Sequence, residues 1–355
     1  MKKTLWKGNE AIAEAAIFAG CRFFAGYPIT PQNEIPEYMS WRMPEAGGSF
    51  VQAESEVSAI NMLYGGAGTG ARCMTSSSSP GISLKQEGIS YITGAELPCV
   101  IVNIVRGGPG LGGIQPAQSD YFQAVKGGGH GDYHMMVLAP NSVQEAVNLT
   151  IEAFDLADYY RNPVMVLGDG MLGQMMEPAE FKPIPSRQLP AKDWAAIGNQ
   201  GSRPSNLISS FFMDPEDCEK HNHRLFAKYA AMAANDLRFE EYLTDDAEII
   251  FVAYGLTSRI AKSAVGQLRA QGIKAGLFRP ITLFPYPSAR LADLAQNDNV
   301  KCFLTVELSM GQMVEDVRLA VNGAKPVHFF GRTGGMVMDS EEIVAQSKKI
   351  LGGGK

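Results

Sequence analysis

The side chains with the greatest chemical reach lie in short glycine-, serine- and proline-rich segments between apolar runs. Glu54 and Glu56 flank Ser55 at the head of a stretch of small and apolar residues. Carboxylates in a first helical turn ordinarily complement the helix dipole. One aimed into a pocket can instead exchange a proton with a ring nitrogen, and the spacing does not choose between the two roles. In Gly26-Tyr27-Pro28-Ile29-Thr30-Pro31-Gln32, Thr30 can cap a helix that opens at Pro31, or present its hydroxyl to a ligand. Ser76-Ser77-Ser78-Ser79-Pro80-Gly81 offers hydroxyls and successive amides that can hold an anion or a ring, or form a solvated turn. Arg106 ends the apolar run Cys99–Val105, and its guanidinium fork matches a carboxylate, a ligand's or a surface partner's.

Other patterns carry less. Gly108-Pro109-Gly110-Leu111-Gly112-Gly113 formally fits G-x-G-x-x-G, but Ile114-Gln115-Pro116 follows where a dinucleotide fingerprint opens a helix. Gly168-Asp169-Gly170 has the opening of a metal–diphosphate motif. The asparagine that motif needs is not at its spacing, so a structural turn is expected. His130, His134, His221, His223 and His328 form no HExxH, and His221 and His223 are two apart, on different faces of a helix. There is no G-x-S-x-G elbow and no Walker lysine. Cys21, Cys73, Cys99, Cys218 and Cys302 are scattered without a CxxC pair, which argues against an iron–sulfur cluster or structural zinc in this chain.

These segments need elements to position them. Asn9–Ala19, Ser55–Gly66, Ile82–Thr93 and Val143–Tyr159 have helical period. Cys21–Ala25, Ala71–Thr75, Cys99–Val105 and Val164–Leu167 read as strands. Strands alternating with helices imply a parallel sheet covered on both faces. Prolines 178, 183, 185, 190 and 204 then interrupt the pattern, Glu219–Leu237 reads as one long helix, and the alternation resumes at Ile249. The expected organisation is α/β: a first parallel-sheet domain over 1–180, a connector with a long helix over 181–240, and a second parallel-sheet domain over 241–355. In such sheets ligands bind beyond the carboxyl ends of the strands, where most of the segments above fall.

Composition bounds the function. The chain has 355 residues, 45% hydrophobic and 19% charged, enough for two ordinary cores and against wholesale disorder. Net charge is −6 with no long basic run, which argues against nucleic acid or an anionic membrane as partner. The first residues lack the apolar stretch of a signal peptide, and no run of apolar residues is long enough to span a bilayer. Five cysteines, an odd number without pairing pattern, fit a reducing cytoplasm.

Taken together, GYPITPQNEIPEY, QAESEVSAINM, MTSSSSPGISLKQEGISY, NIVRGGPGLGGIQPAQSD, PVMVLGDGMLGQMMEP, FRPITLFP and VELSMGQMVEDV resemble the α-type subunit of 2-oxoacid:ferredoxin oxidoreductases. The nearest likeness is to the 2-oxoisovalerate (3-methyl-2-oxobutanoate) branch, and it runs from about residue 5 to 335. The resemblance implies a pyrimidine-binding thiamine-diphosphate domain followed by a transketolase C-terminal-like domain. It further implies a heteromer whose active site lies between chains. A β-type subunit would hold the diphosphate and Mg²⁺, further small subunits would carry iron–sulfur clusters, and electrons would pass to ferredoxin. The implied reaction is oxidative decarboxylation of a branched-chain 2-oxoacid to its acyl-CoA, with 2-oxoglutarate as competing substrate.

Carried onto this sequence, the resemblance makes Glu56 the glutamate that hydrogen-bonds the pyrimidine ring nitrogen of the cofactor. Thr30 and Arg106 become ligands of the substrate carboxylate, and Ile29, Ser77, Ser78 and Ser79 line the cofactor or substrate pocket. Two other readings stay in view. One is a nicotinamide-binding dehydrogenase that uses Gly108–Gly113. The other is a non-catalytic assembly subunit.

Overall fold

The computed structural model describes residues 3–184, 187–199 and 201–352. Its elements begin with β1 (Thr4–Lys7), α1 (Gly8–Phe18), β2 (Phe23–Gly26), α2 (Glu34–Glu45), β3 (Ser49–Gln52), α3 (Glu56–Gly68), β4 (Cys73–Ser77), α4 (Pro80–Gly94) and β5 (Val100–Val105). Then come α5 (Tyr121–Val125), β6 (Met136–Leu138), α6 (Val143–Tyr160), β7 (Val164–Asp169), α7 (Gly170–Gln174) and β8 (Met176–Ala179). After a long irregular stretch follow α8 (Pro215–Asn235), β9 (Phe239–Tyr242), β10 (Ile249–Val252), α9 (Thr257–Ala270), β11 (Ala275–Pro280) and β12 (Thr282–Phe284). The chain closes with α10 (Ser288–Ala295), β13 (Cys302–Glu307), α11 (Met313–Val321), β14 (Val327–Gly331) and α12 (Ser340–Leu351).

The first sheet has the order β12-β6-β7-β5-β4-β2-β3. All its pairings are parallel except β12 with β6. Its centre is β5 (VIVNIV) and β7 (VMVLGD), buried along their whole length as a strand covered on both faces has to be. α3 and α4 cover one face through Ile60, Leu63, Ile82 and Ile89. α1, α2 and α6 cover the other through Ile12, Ile35, Met39 and Phe154, joined there by Leu225, Tyr229 and Met232 of α8. The second sheet, β14-β13-β10-β11-β9, is parallel apart from β9 and carries its own core around Phe251, Val265 and Leu304.

Periodicity finds α1, α3, α4, α6 and α8 to within a few residues, and β2 and β10 besides, but misses α11 and α12. Several short strands escape it. β3, β6, β9 and β12 each have three or four residues, too few to show a period. β12 also crosses between the two parts: it lies in the second half of the chain yet hydrogen-bonds at the edge of the first sheet, Thr282 facing Leu138.

Polar contacts fix the two sheets against each other. Arg279 of β11 is buried, and its Nη1 and Nη2 donate to the two carboxylate oxygens of Glu145 on α6 at 2.7 and 2.8 Å, while its Nε donates to Glu240 at 3.0 Å. Removing one member of such a pair strands the other's charge. Arg279→Ala is therefore expected to lower unfolding stability by roughly 3 kcal/mol, read as a fall in the denaturation midpoint. Gln118 acts as a second staple, receiving the Thr257 hydroxyl and the Leu308 amide and donating to the Tyr254 carbonyl. Tyr121 donates to Asp316 at 2.6 Å, and Lys126 pairs with the same carboxylate. The carboxyl ends of β10 and β13 are thus held against the loop that follows Arg106.

Candidate functional site

The chain passes from β2 outward to β3 on one side, then returns to β4 on the other. This reversal opens a crevice beyond the carboxyl ends of β2 and β4, where ligands of open parallel sheets bind. The segments after β2, β3, β4 and β5 all emerge there, so the topology gathers Thr30, Glu56, Ser77–Ser79 and Arg106 at one edge.

Glu56 opens α3. Ser55 is the N-cap, its hydroxyl accepting the Ser58 amide. The cap separates the two glutamates. Glu54 is exposed and accepts the Ser55 hydroxyl at 2.9 Å, and the Ser58 and Ser55 hydrogen bonds hold its carboxyl below the usual range. Glu56 is 6% exposed and takes part in no side-chain hydrogen bond or ion pair among the described residues. Its neighbours are Ser77, at the end of β4, and Gly81 in the first turn of α4. A Cβ on Gly81 would lie 2.0 Å from Ser77 Oγ and 2.7 Å from Glu56 Oε1, so a residue without a side chain is required for this close approach. The Ser77 and Ser78 hydroxyls are buried with no hydrogen-bond partner. Buried polar atoms are nearly always satisfied, and two orphaned in succession, the first of them beside a partnerless carboxylate, mark a place built for polar groups from outside the chain.

Ser79 has a different task. It precedes α4 with φ +27°, a costly conformation for a residue with a side chain. Three bonds hold it there. Its amide donates to Asn103 Oδ1 at 3.1 Å, its hydroxyl donates to Asp120 at 2.7 Å, and the same oxygen accepts the Arg106 amide at 3.0 Å. Asn103 Nδ2 donates to Asp120 as well, and burial pushes the Asp120 carboxyl up. No catalytic or ligand-binding motif in the sequence singles out Asn103 or Asp120. An asparagine inside the otherwise apolar VIVNIV is the one signal that marked either of them.

Arg106 is 7% exposed and forms no ion pair with a carboxylate among the described residues, so the surface salt-bridge alternative does not hold. Its Nη1 donates to the Thr30 carbonyl at 2.8 Å and its Nη2 to the Leu111 carbonyl at 3.0 Å, while Nε is buried and unpartnered. It thereby ties the β2 loop to the glycine-rich loop and keeps donors to spare. The guanidinium borders a cavity of about 380 Å³ with Ser79, Ser83, Asp120 and Thr333. Thr30 borders a neighbouring cavity of about 510 Å³ with Asn33, Gln115, Met171 and Val337. The two predicted carboxylate ligands are joined through the Thr30 carbonyl, and each faces its own cavity.

Thr30 does not cap a helix at Pro31. The Gln32 amide closes a turn on the Ile29 carbonyl, and α2 starts three residues later than Pro31, at Glu34. Buried Gln32 sets this turn, its side chain donating to the Tyr27 carbonyl and accepting the Ser76 hydroxyl at 2.5 Å. The Thr30 hydroxyl accepts a hydrogen bond from Asn33 at 3.2 Å.

The glycine pattern after Arg106 forms a loop closed by the Gly113 amide on the Gly107 carbonyl. The next helix is α5, at Tyr121, so these glycines open no helix. Asp169 of Gly-Asp-Gly caps α7, accepting the Met171 and Leu172 amides, and burial pushes its carboxyl up to about 6. Half-buried His134 stacks on Phe284 and buried His221 on Phe212, so both rings serve packing. All five cysteines are unpaired, and among the described residues no group of three or more His, Cys, Asp or Glu converges to hold a metal. No helix is long and apolar enough to cross a membrane among the described residues.

Comparison with known proteins narrows what this arrangement serves. Residues 14–233 match the family model described as pyruvate flavodoxin/ferredoxin oxidoreductase, thiamine diP-bdg. Residues 247–343 match that of the pyruvate:ferredoxin oxidoreductase core domain II. The chain is 52% identical over 352 residues to ketoisovalerate oxidoreductase subunit VorB of Methanothermobacter thermautotrophicus, covering 99% of each. It is 37% identical to 2-oxoglutarate synthase subunit KorA of the same organism, over 97% of this chain and 98% of that one. Among solved structures, 2-oxoglutarate:ferredoxin oxidoreductase from Magnetococcus marinus superposes with a TM-score of 0.87 at 25% identity, over 98% of this chain and 65% of that one. A split-gene transketolase superposes with a TM-score of 0.60 at 15% identity, a likeness of fold.

Proposed function

This chain belongs to the 2-oxoacid:ferredoxin oxidoreductase family, and on that premise we propose that it is the subunit that binds the pyrimidine half of thiamine diphosphate in a 2-oxoisovalerate-oxidising complex. The observation that carries the proposal is the buried, partnerless Glu56 carboxylate packed with the orphaned Ser77 hydroxyl against Gly81, the Ser78 hydroxyl next in the chain being orphaned as well. An aminopyrimidine presents ring nitrogens and an amino group, and these residues fit it. A glutamate accepts or shares a proton, and two hydroxyls each donate or accept as needed.

When bound, thiamine diphosphate supplies the electron sink that decarboxylation of a 2-oxoacid requires. Glu56 holds a proton at the pyrimidine ring nitrogen, which is general acid–base activation of the cofactor. Arg106 orients the substrate carboxylate with the donors it does not spend on Thr30 and Leu111. Thr30 contributes its hydroxyl, and Ile29 and Ser79 shape the pocket beside them. We place the first domain at residues 1–180 and the transketolase C-terminal-like domain at 241–355, with 181–240 as connector.

Mg²⁺ and the diphosphate are assigned to a β-type partner subunit. Asp169, the acid of Gly-Asp-Gly, commits Oδ1 of its carboxylate to two backbone amides of its own chain, which supports this division. Iron–sulfur clusters are assigned to further subunits, in keeping with cysteines that lie apart. Burial pushes the Cys21 thiol up to about 12, far from a metal ligand's thiolate. Five unpaired cysteines support a reducing cytoplasm as the location.

The substrate follows the higher identity, to a ketoisovalerate rather than a 2-oxoglutarate oxidoreductase subunit. The complex co-purified with its partner subunits is expected to reduce viologen in the presence of CoA with a kcat/KM for 2-oxoisovalerate roughly 10–100-fold above that for 2-oxoglutarate. The reverse order would transfer the assignment to 2-oxoglutarate. CoA-dependent activity with neither acid, beside binding of NADH by the chain alone, would replace it with a dehydrogenase.

A further inference from the structure

Lys85 is a wholly buried lysine with no carboxylate bonded to it. It lies on α4, 0% exposed, and its Nζ donates to Thr75 Oγ1 at 2.7 Å and to the Ser76 carbonyl at 3.0 Å, both on β4. Lysines are almost never fully buried unless paired, because an ammonium taken from water loses its solvation. Two neutral acceptors are a thin return for that cost.

Geometry gives the charge an addressee. Lys85 follows Gly81 by four residues, so the two share one face of α4. That face meets the Glu56 carboxylate, which approaches Gly81 so closely that a Cβ there would lie 2.7 Å from Oε1. Across α3, β4 and β5, Glu56 is the one carboxylate; Asp120 at the start of α5, on the same side of the sheet, is engaged by Ser79 and Asn103, and the Cys73 thiol of β4 is pushed up by burial. Burial draws Lys85 down to about 7, and Glu56 is the charge that opposes the fall.

We propose that Lys85 is a positioning residue for Glu56, its buried charge biasing the proton shared between Glu56 and the cofactor's ring nitrogen toward the ring. This rests on the reading of Glu56 given above. An ammonium on the α4 face that the carboxylate meets attracts negative charge there, which leaves the shared proton on the ring nitrogen, where it activates the cofactor. A purely structural Lys85, tying α4 to β4, would have no such connection to the proton.

The test is the rate at which the thiazolium C2 proton of bound thiamine diphosphate exchanges with deuterium, followed by NMR on the quenched, reconstituted complex. Lys85→Met removes the charge at similar volume. Lys85→Gln keeps a donor for Thr75 or Ser76 and serves as the second variant. Each is expected to slow exchange by roughly tenfold or more while the subunits still assemble and bind the cofactor. Because Lys85 acts through Glu56, Glu56→Gln and Glu56→Gln/Lys85→Met are expected to exchange at the same slow rate. Equal slowing by Lys85→Met in both backgrounds overturns the proposal, as does wild-type exchange in Lys85→Met and Lys85→Gln. Failure of both single variants to assemble also overturns it, in favour of a structural lysine. Wild-type exchange in Glu56→Gln has a different meaning: it removes the reading of Glu56 beneath the proposal.

Discussion

Glu56→Gln, placed in the assembled complex, is expected to lose 2-oxoacid-dependent dye reduction by roughly 10²–10⁴-fold, the usual span for removing a positioned acid–base group. The substitution is close to isosteric and keeps an oxygen and a nitrogen for the cofactor ring, but an amide cannot share a proton. The fold has little reason to respond. Glu56 opens α3 without capping it, since Ser55 holds the cap; its carboxylate has no hydrogen bond to abandon among the described residues, and Lys85, whose charge it opposes, keeps its bonds to Thr75 and Ser76. The loss in the dipole interaction at a helix start is about 0.3–1 kcal/mol. The midpoint of thermal unfolding and co-purification of the partner subunits should therefore match wild type while turnover collapses. Activity near wild type would remove Glu56 from the chemistry and return it to the plain helix-head role that its position also allows.

Much of this site's placement is legible in the sequence, for a physical reason. A parallel sheet forces its functional loops onto one edge. Once Cys99–Val105 and Val164–Leu167 are recognised as buried strands, the segments that follow them, and their counterparts after β2 and β4, have to meet. The pattern could not rank Glu54 against Glu56. That depends on which side of the Ser55 cap faces the sheet, a matter of a single peptide unit. It could not foresee that Thr30 would sit in a turn ahead of the helix either, because the anchor is Gln32, whose partners lie at Tyr27 and at Ser76. Lys85 is hidden for the same kind of reason. A lysine within a helix normally reports a solvated face, and Leu84, beside it in the chain, is the residue that faces out, 54% exposed. Contacts made across many residues, or by elements as short as β12, leave no periodic trace in the chain.

Arg106→Ala is expected to raise the KM for the 2-oxoacid by roughly 10–150-fold, the range of a hydrogen bond to a charged group. The structure adds a second effect. Arg106 also donates to the Thr30 and Leu111 carbonyls, so alanine loosens the two loops and lowers the unfolding midpoint as well. A fall in stability by itself is then no evidence about the substrate. Arg106→Lys separates the effects. A lysine keeps the charge and can retain one carbonyl contact, but it binds a carboxylate as a point charge and lacks the fork. If Arg106 clamps the substrate, Arg106→Lys recovers most of the stability and keeps a raised KM, with cofactor binding unchanged in both variants. If it serves the loops alone, stability falls in the alanine variant while the KM of each stays at the wild-type value. The buried Nε that no group in the described chain accepts from favours the first outcome. A residue that only joined two loops would have no need of a guanidinium with its fork partly unspent, whereas a bound carboxylate gives the remaining donors their partners.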